Sequence, residues 1–326
     1  MNYSERHKQA EEKIWELLDM VRGDVPINDY YFILLLFTVY NDKSHGNAFL
    51  SEFIDIDDSD LHEELYENLI FDSDLEQVVD IFNEIIKKIP PYKLRFILEG
   101  VIEIPFNEKV FDSIFLKIIN AQGKFGGNYF QPEEISQLVM SISGINNPDF
   151  ENNPVVYNPF AGLGSYGTLM PKKSSYYGQE LNLLTFAIGW LRIWRYKKYK
   201  SHFFEIDNSI TNWLFEATYD SGNFDLIVST PPFNLKVNSN DESSRRVSVE
   251  NFLIKNGLKS LNEGGKLICV IPVGFLFKSG KDGELRKSLI ETGVLEAVIQ
   301  LPSNLFKNTG IPVCVLVLKQ SYESKG

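Results

Sequence analysis

Residues 158–167 read Asn158-Pro159-Phe160-Ala161-Gly162-Leu163-Gly164-Ser165-Tyr166-Gly167, and this stretch decides the fold. A short apolar run, 154–157, precedes it, and a segment with a helical pattern follows it. Glycines permit a sharp turn and let a ligand approach the backbone with no Cβ in the way. N–H groups at the start of a helix favour an electronegative ligand. The stretch therefore predicts the strand, glycine turn and helix of a nucleotide-binding α/β fold, although a plain strand-to-helix turn fits the same residues.

An acidic residue closes the next predicted strand. Glu180 is the last residue of the segment Tyr177-Gly178-Gln179-Glu180. A carboxylate at this place in a nucleotide-binding fold accepts hydrogen bonds from the hydroxyl groups of a ribose. The alternative is an acid on the protein surface that binds no ligand.

The chain shows two successive patterns. Residues 1 to about 122 have the apolar spacing of helices, and from Val155 onward strand and helix patterns alternate. This alternation predicts a mostly parallel sheet with helices on both faces. Strands are predicted at 155–158, 175–179, 202–206, 224–229, 266–271, 294–300 and 312–318. The last two have no clear helix between them, which favours an antiparallel pair at the end of the sheet.

The negative charge is concentrated in one segment. The chain has 326 residues and a net charge of −12, and 12 of its 44 acids lie within 51–80, where there is no Lys or Arg. The remaining residues balance, so the net charge does not exclude a DNA-facing surface elsewhere. Leu61, Leu65 and Leu69 keep helical spacing, which predicts a helix with a solvated acidic face. Docking of a partner on this face is the alternative.

Several classes of protein are disfavoured by composition. No apolar run reaches the roughly 18–20 residues of a membrane span, and the N-terminus lacks an apolar secretory segment. The cysteines, Cys269 and Cys314, each lie in an apolar run, which is typical of free buried thiols in a cytoplasmic protein. The four histidines show no metal-ligand spacing. We therefore expect a cytoplasmic protein with no membrane segment and no metal site.

The second informative stretch is Thr230-Pro231-Pro232-Phe233, which follows the buried-strand pattern 224–229. Two prolines directly after a central strand fix the backbone and remove two N–H donors. Because ligands bind at the carboxyl ends of parallel strands, Thr230 and Phe233 are predicted to share a crevice with the glycine loop. A short polar group beside an aromatic ring suits a flat nitrogenous base with an exocyclic amine. A rigid surface turn is the alternative.

Several motifs, which follow one another along the chain in the family's order, resemble those of the N6-adenine DNA methyltransferases. The resemblance is closest to the modification subunit of type I restriction–modification systems. Residues 127–132 are similar to that family's Gly-x-Tyr-[Phe/Tyr]-Thr-Pro segment, 158–166 to its Asp-Pro-Ala-Cys-Gly-Thr-Gly-Gly-Phe loop, and 177–182 to its Tyr-Gly-Gln-Glu-Ile-Asn segment. Residues 207–209 stand where the family has Gly-Asp-Thr, and 230–233 resemble its catalytic [Asn/Asp/Ser]-Pro-Pro-[Tyr/Phe]. Residues 264–318 are similar to the subunit's C-terminal region.

The resemblance implies a fold, an activity and partners. The resemblance covers about residues 100 to 320, and the implied fold is a Rossmann-like S-adenosylmethionine-dependent methyltransferase sheet over 123–326. The helical spacing and the charge of the preceding residues predict an acidic helical domain over 1–122. The implied activity is methyl transfer to the N6 amine of an adenine flipped out of double-stranded DNA. We expect no target-recognition domain after the last strand. Sequence specificity would therefore come from a specificity subunit, and a restriction subunit is a further expected partner.

The resemblance also assigns roles to individual residues. The implied catalytic residues are Thr230, Pro231, Pro232 and Phe233. The implied S-adenosylmethionine-binding residues are Tyr129, Phe130, Gln131, Pro132, Asn158, Phe160, Gly162, Gly164, Glu180, Asn208 and Ser209. The polar stretch that contains Arg245 and Arg246 is predicted to be a mobile loop that orders on DNA, which would bring both residues near phosphates; a disordered connector is the alternative. No metal is expected.

Two departures from the family pattern stand at important positions. Asn158 stands in place of the acid of the loop, and Thr230 in place of Asn, Asp or Ser at the first catalytic position. A catalytically degenerate member, acting as a cofactor- or DNA-binding scaffold, is therefore one alternative. An NAD-dependent oxidoreductase is the other, because the glycine pattern alone also fits it.

Overall fold

Helices and strands occupy different parts of the chain, as their sequence patterns require. The computed structural model describes residues 3–40, 50–70, 75–104, 108–121, 131–145, 153–196, 201–214, 224–238, 246–306 and 309–320. Two structural units divide the chain, Met1–Gly127 and Asn128–Gly326. None of the described helices is long and apolar enough to cross a membrane.

The first unit is helical in its described residues. Its helices are α1 (Tyr3–Met20), α2 (Phe32–Tyr40), α3 (Leu61–Leu69), α4 (Glu76–Ile86), α5 (Pro91–Glu103) and α6 (Glu108–Ala121). Short 3₁₀ turns lie at Ile27–Asp29 and Leu50–Phe53. The residues 32–37 of α2 are all fully buried, because this helix is apolar on every face. Helices α4, α5 and α6 contact α2, which therefore forms the centre of the unit.

The acidic segment presents its carboxylates to solvent. Leu61, Leu65 and Leu69 of α3 are buried, whereas the glutamates between them are exposed. Arg95 of α5 supplies one cation from outside the segment, with its guanidinium 2.7 Å from Asp58. The predicted solvated acidic face is confirmed in the described residues of α3.

The second unit contains a seven-stranded sheet and a separate hairpin. The strands are β1 (Val155–Asn158), β2 (Ser175–Glu180), β3 (Ser201–Ile206), β4 (Phe224–Ser229), β5 (Lys236–Asn238), β6 (Arg246–Ser248), β7 (Leu261–Pro272), β8 (Leu295–Gln300) and β9 (Val313–Lys319). The order across the sheet is β3-β2-β1-β4-β7-β9-β8. Strand β9 is antiparallel to both of its neighbours, and the other pairs of the sheet are parallel. All seven predicted strands are confirmed, as is the antiparallel pairing of the last two.

Helices cover the sheet of the second unit. They are α7 (Glu133–Ser143), α8 (Leu183–Tyr196), α9 (Val249–Lys259) and α10 (Lys281–Glu291). Side chains alternate between the faces of a strand, and on β4 both Ile227 and Val228 are fully buried. Burial on both faces is what the near-continuous apolar runs of these strands require. The predicted Rossmann-like architecture, a mostly parallel sheet covered by helices, is confirmed.

The element after the glycine loop differs from the prediction. A 3₁₀ turn, Gly167–Leu169, stands where a helix was expected. Met170 is already extended, with φ −66° and ψ 142°, and Pro171 follows it. The residue before a proline is biased away from the helical conformation, so the chain passes directly toward β2.

The polar stretch after Phe233 begins and ends in short strands. Its two ends pair as the antiparallel hairpin of β5 and β6. Val237 and Val247 are partners in this hairpin and both are buried, which gives the two strands an apolar face. Residues 239–245, including Arg245, lie outside the described residues.

Candidate functional site

The carboxyl ends of neighbouring parallel strands border one cavity in the second unit. Its volume is about 430 Å³, within the roughly 300–1,000 Å³ that is usual for small-molecule sites. Ten of the residues assigned from sequence line it: Gln131, Phe160, Gly162, Glu180, Asn208, Ser209, Thr230, Pro231, Pro232 and Phe233. The residues that follow β1, β2, β3 and β4 therefore converge, as parallel strands require.

The remaining assigned residues lie elsewhere. Pro132 caps the start of α7, and Gly164 faces α8, so neither lines the cavity. Arg246 lies on β6 and is exposed. Tyr129 and Phe130 are outside the described residues, as is Arg245.

Asn158 is fully buried behind the cavity rather than facing it. In the amide orientation that satisfies it, its nitrogen donates to the carbonyl oxygens of Phe160 and Val228, at 3.2 and 3.1 Å. Its oxygen accepts from the Tyr176 hydroxyl at 3.2 Å. Burial raises the pKa of Tyr176, which keeps this hydroxyl a donor. Asn158 thus joins β1 to β2, β4 and the glycine loop, a buried position that an amide satisfies without a charge.

Glycine is required at two positions of the loop for different structural reasons. Gly162 and Gly164 both adopt positive φ, 55° and 71°, where a side chain is strained. At Gly162 no heavy atom lies within 4 Å of the position of a Cβ, so this glycine keeps the cavity wall open. At Gly164 a Cβ would lie 2.9 Å from Ile193 Cδ1 and 3.0 Å from the Gly189 carbonyl oxygen. Gly164 therefore lets α8 pack against the loop.

A basic residue of α8 holds the same loop. Arg192 of α8 donates to the Leu163 carbonyl oxygen at 2.6 Å. Its Nη1 also lies 3.4 Å from Ser165 Oγ. The guanidinium can satisfy carbonyl and hydroxyl acceptors together because its donors form a rigid fork.

Backbone N–H groups of the loop donate to acceptors within the protein. Ala161 donates to the Gln179 carbonyl oxygen at 2.9 Å, Gly162 to Glu180 Oε2 at 3.0 Å, and Gly164 to the Ala161 carbonyl oxygen at 3.0 Å. A phosphate-binding loop aims such groups at its anionic ligand instead. These three N–H groups are therefore already engaged within the protein. A carboxylate beside the loop also repels a pyrophosphate.

Glu180 lies at the end of β2 with both carboxylate oxygens engaged. Oε2 accepts the Gly162 N–H, and Oε1 accepts the Asn182 N–H at 2.8 Å. Burial raises the pKa of Glu180, and the N–H groups of Asn182, Gly162 and Leu181 oppose this by lowering it. Each oxygen keeps further lone pairs, so the carboxylate can still accept from hydroxyl groups of a ligand.

Asp207 is a second carboxylate at this end of the cavity, and sequence analysis did not assign it a role. It lines the cavity directly after β3. Its oxygens accept from Asn212 Nδ2 at 2.8 Å, from Gln179 Nε2 at 3.2 Å and from the Asn208 N–H at 2.7 Å. Asp207 could have been recognised from the sequence in the same way as Glu180, because each is an acid that directly follows a predicted strand.

The opposite end of the cavity is built from side chains. Thr230 Oγ1 lies 2.9 Å from the Tyr166 hydroxyl and donates to Gln131 Oε1. Gln131 Nε2 donates in turn to Ser136 Oγ at 2.6 Å. Tyr166 was not predicted from the sequence, because nothing local to the glycine loop indicates that its tyrosine contacts a residue 64 positions away.

Phe233 lines the same end. Its side chain is 7% exposed, and its ring packs edge to face on Phe306, with centroids 5.4 Å apart. Such aromatic pairs fix ring orientation. Among the described residues, no three His, Cys, Asp or Glu side chains group as a metal site.

Known proteins with similar sequences are methylases. The N-6 DNA Methylase family matches residues 106–326, about two thirds of the chain. The type I restriction enzyme MpnII methylase subunit of Mycoplasma pneumoniae is 30% identical over 231 residues, which are 62% of this chain and 42% of that protein. The type I restriction enzyme HindI methylase subunit of Haemophilus influenzae is 23% identical over 244 residues, covering 67% of this chain and 52% of that protein. The chain thus spans about half the length of these relatives.

A solved structure supports the fold. The type I restriction-modification system methyltransferase subunit from Streptococcus thermophilus superposes with a TM-score of 0.73, covering 98% of this chain and 86% of that one, at 17% sequence identity. At 17% identity, the structural superposition establishes the fold alone. Membership of the family rests on the sequence match over residues 106–326. The chain belongs to the N-6 DNA Methylase family.

Proposed function

We propose that the chain transfers a methyl group from S-adenosylmethionine to the N6 amine of an adenine in DNA. The observation that carries this proposal is one cavity in which two carboxylates, at the carboxyl ends of β2 and β3, stand at one end and Thr230 to Phe233, after β4, at the other, with the glycine loop after β1 between them. Family membership supports it, and leaves the oxidoreductase alternative without support.

The residues at the first end suit S-adenosylmethionine. The open side of Gly162 admits a ligand against the backbone. Glu180 and Asp207 can accept from ribose hydroxyl or ammonium donors, and their charge favours a cationic ligand over a pyrophosphate. When bound, this cofactor supplies an electrophilic methyl group on a positively charged sulfur.

The residues at the second end suit an adenine. The Thr230 hydroxyl and the Pro231 carbonyl oxygen are the proposed acceptors for the two N–H groups of the N6 amine. Accepting both keeps the nitrogen lone pair from delocalising into the ring, which makes the nitrogen more nucleophilic. Phe233 offers an aromatic wall for a flipped base, whose extraction from the duplex costs a few kcal/mol. The contribution of these residues is positioning and electrostatic stabilisation.

The hairpin of β5 and β6 is a proposed contact to DNA. Lys236 and Arg246 are both exposed on it, and β5 begins three residues after Phe233. Two cations beside the catalytic turn can neutralise phosphates next to a flipped nucleotide. Arg245 is proposed for the same role.

Sequence specificity is proposed to come from a specificity subunit, with a restriction subunit as a further partner. The support is that the similar proteins are methylase subunits of type I restriction enzymes. Because the acidic face of α3 repels phosphate, the chain alone is expected to bind DNA weakly and without sequence preference. Strong sequence-specific binding by the isolated chain would contradict this.

Methyl transfer tests the proposed activity directly. The chain, assembled with its specificity partner, is incubated with adenine-containing duplex DNA and S-adenosylmethionine labelled in its methyl group. Label recovered as N6-methyladenine after digestion supports the proposal. Parallel titrations with S-adenosylmethionine and with NADH show which cofactor the chain binds. Binding of NADH without binding of S-adenosylmethionine would exclude the proposed methyl transfer.

A scaffold that binds the cofactor without transferring the methyl group is the second candidate, and Thr230 at the first catalytic position favours it. The deciding comparison is methyl transfer by the wild type and by Thr230→Asn. An active wild type that Asn impairs by half or more supports catalysis by threonine. A silent wild type that Asn rescues identifies a degenerate methyltransferase, and silence of both with retained cofactor binding supports the scaffold.

A further inference from the structure

The Thr230 hydroxyl lies in a network of side chains from separate segments. Tyr166, in the glycine loop, is 64 residues away in sequence, and Gln131, before α7, is 99 residues away. Tyr166 is 3% exposed, Gln131 7% and Ser136 fully buried. The contacts are therefore built by the fold and are largely shielded from competing water.

The directions of these hydrogen bonds follow from the number of protons. Gln131 donates its amide to Ser136, so its oxygen faces Thr230 and accepts the single hydroxyl proton of that residue. With that proton committed, Thr230 Oγ1 can only accept in its 2.9 Å contact with the Tyr166 hydroxyl, which also has a hydrogen bond with Gln131. Burial raises the pKa of Tyr166, so its phenol stays protonated and remains a donor.

A threonine hydroxyl has one proton and two lone pairs. The proton goes to Gln131 and one lone pair to Tyr166, which leaves one lone pair for a further donor. A free hydroxyl rotates and can present its proton to an incoming amine, which then finds no acceptor. In this network the hydroxyl can only accept.

We infer that Tyr166 and Gln131 are positioning residues that make the Thr230 hydroxyl a fixed acceptor for the substrate amine. The inference rests on the proposed function and gives it a physical basis at the one catalytic position that departs from the family pattern. Gln131 and Tyr166 stand where the family segments quoted above have Thr and Phe, so the network joins three such departures. Preorganised acceptors of this kind lower the cost of reorganisation during reaction.

A double-mutant cycle in the complex with the specificity partner tests the inference. Tyr166→Phe removes only the hydroxyl, and Thr230→Val replaces the hydroxyl by a methyl group of similar size. We expect Tyr166→Phe to lower kcat roughly threefold to tenfold, as the loss of one hydrogen bond does, while the Kd for S-adenosylmethionine changes less than about twofold. In the Thr230→Val background, Tyr166→Phe should cause no further loss, because it acts through the missing hydroxyl. Gln131→Leu should lower kcat in the same way and likewise cause no further loss in the Thr230→Val background.

Controls separate positioning from general damage. Tyr66→Phe removes a tyrosine hydroxyl that donates to Asp80 at 2.7 Å in the first unit, and should leave kcat unchanged. Chemical unfolding of each variant checks that it is folded under assay conditions. If the wild type transfers methyl groups, either of two results would overturn the inference. One is an equal loss of kcat from Tyr166→Phe in the wild-type and Thr230→Val backgrounds, and the other is no loss of kcat in either background. A wild type that binds S-adenosylmethionine but transfers no methyl group would defeat the proposed function, and this inference with it.

Discussion

The two ends of the cavity are constructed in different ways. At the cofactor end, backbone geometry dominates: Gly162 and Gly164 have positive φ, and backbone N–H groups hold Glu180. At the transfer end, the arrangement depends on side-chain hydroxyl and amide groups of Thr230 and its partners, which come from distant segments. The geometry of a local backbone motif depends little on its surroundings, whereas the members of a long-range hydrogen-bond network depend on one another, so the loss of one member affects the others. Substitutions at the two ends should therefore have separable effects.

The largest separation is expected for Thr230→Val. The variant loses an acceptor aimed at the reacting amine, and removal of one such group typically costs about 100- to 1,000-fold in rate. Cofactor affinity should stay within about twofold, because the other end is untouched. Single-turnover methyl transfer and calorimetric titration of S-adenosylmethionine measure the two effects. Thr292→Val, at the exposed end of α10, is the matched control, and an equal loss of cofactor binding in Thr230→Val would erase the distinction between the ends.

Within the cofactor end, Gly164→Ala should cost more stability than Gly162→Ala. Both substitutions force alanine into positive φ, which costs about 1–2 kcal/mol. Only at Gly164 does the new Cβ also meet Ile193 and the Gly189 carbonyl oxygen, at 2.9 and 3.0 Å. We therefore expect a total of roughly 2–4 kcal/mol in the free energy of unfolding for Gly164→Ala.

Denaturant unfolding of both variants measures this difference, and cofactor titration supplies the complementary result. Gly162→Ala places its methyl group at the open cavity wall, so it should weaken cofactor binding even where it remains stable. If Gly162→Ala proved the more destabilising variant, the assignment of one glycine to packing and the other to the ligand would be wrong.

Glu180→Ala should weaken S-adenosylmethionine binding and leave the chemical step intact. The lost hydrogen bonds to a charged acceptor are worth on the order of 1.5–3 kcal/mol. At saturating cofactor, methyl transfer should approach the wild-type rate, the reverse of the Thr230→Val result. Calorimetry of this variant provides the measurement, and Glu263→Ala, which removes an exposed acid of β7, is the control. Unchanged affinity would remove Glu180 from the site.

The smallest expected effect is a pH dependence of cofactor affinity. Burial raises the folded-state pKa of Glu180, and binding uses the ionised carboxylate, so affinity should fall as the pH drops through that raised value. A raised pKa also means that the contribution of this group to stability is present below its unfolded pKa and is lost as pH rises through the folded one. Acidification therefore favours the cofactor-free fold while disfavouring binding. The change is about tenfold per pH unit at most.

Titrations of S-adenosylmethionine across the mildly acidic range measure this effect. Glu180→Gln keeps the size of the side chain and removes its titration, so its affinity should be nearly independent of pH over the same range. An equal pH dependence in wild type and Glu180→Gln would assign the titration to another group.

Much of the second unit was predictable because its signals are local. The seven strands follow from apolar runs of strand length, and the glycine loop and Glu180 from residues close together in sequence. The helix expected after the loop failed because Pro171 disfavours helical conformation at Met170 and only a 3₁₀ turn fits before β2. The hairpin of β5 and β6 escaped prediction because each strand has three residues and a single buried valine.

By itself, the sequence determined the fold class, the strand positions and which turns end at the cavity, since strand periodicity and proline or glycine constraints act within a few residues. Tertiary structure alone decided that Asn158 faces inward toward Tyr176 and Val228 rather than the cavity. It also decided that the Thr230 hydroxyl meets Tyr166 and Gln131. Hydrogen bonds between distant segments depend on angles and distances that are set only when helices and sheet pack together, and no short window of sequence contains them.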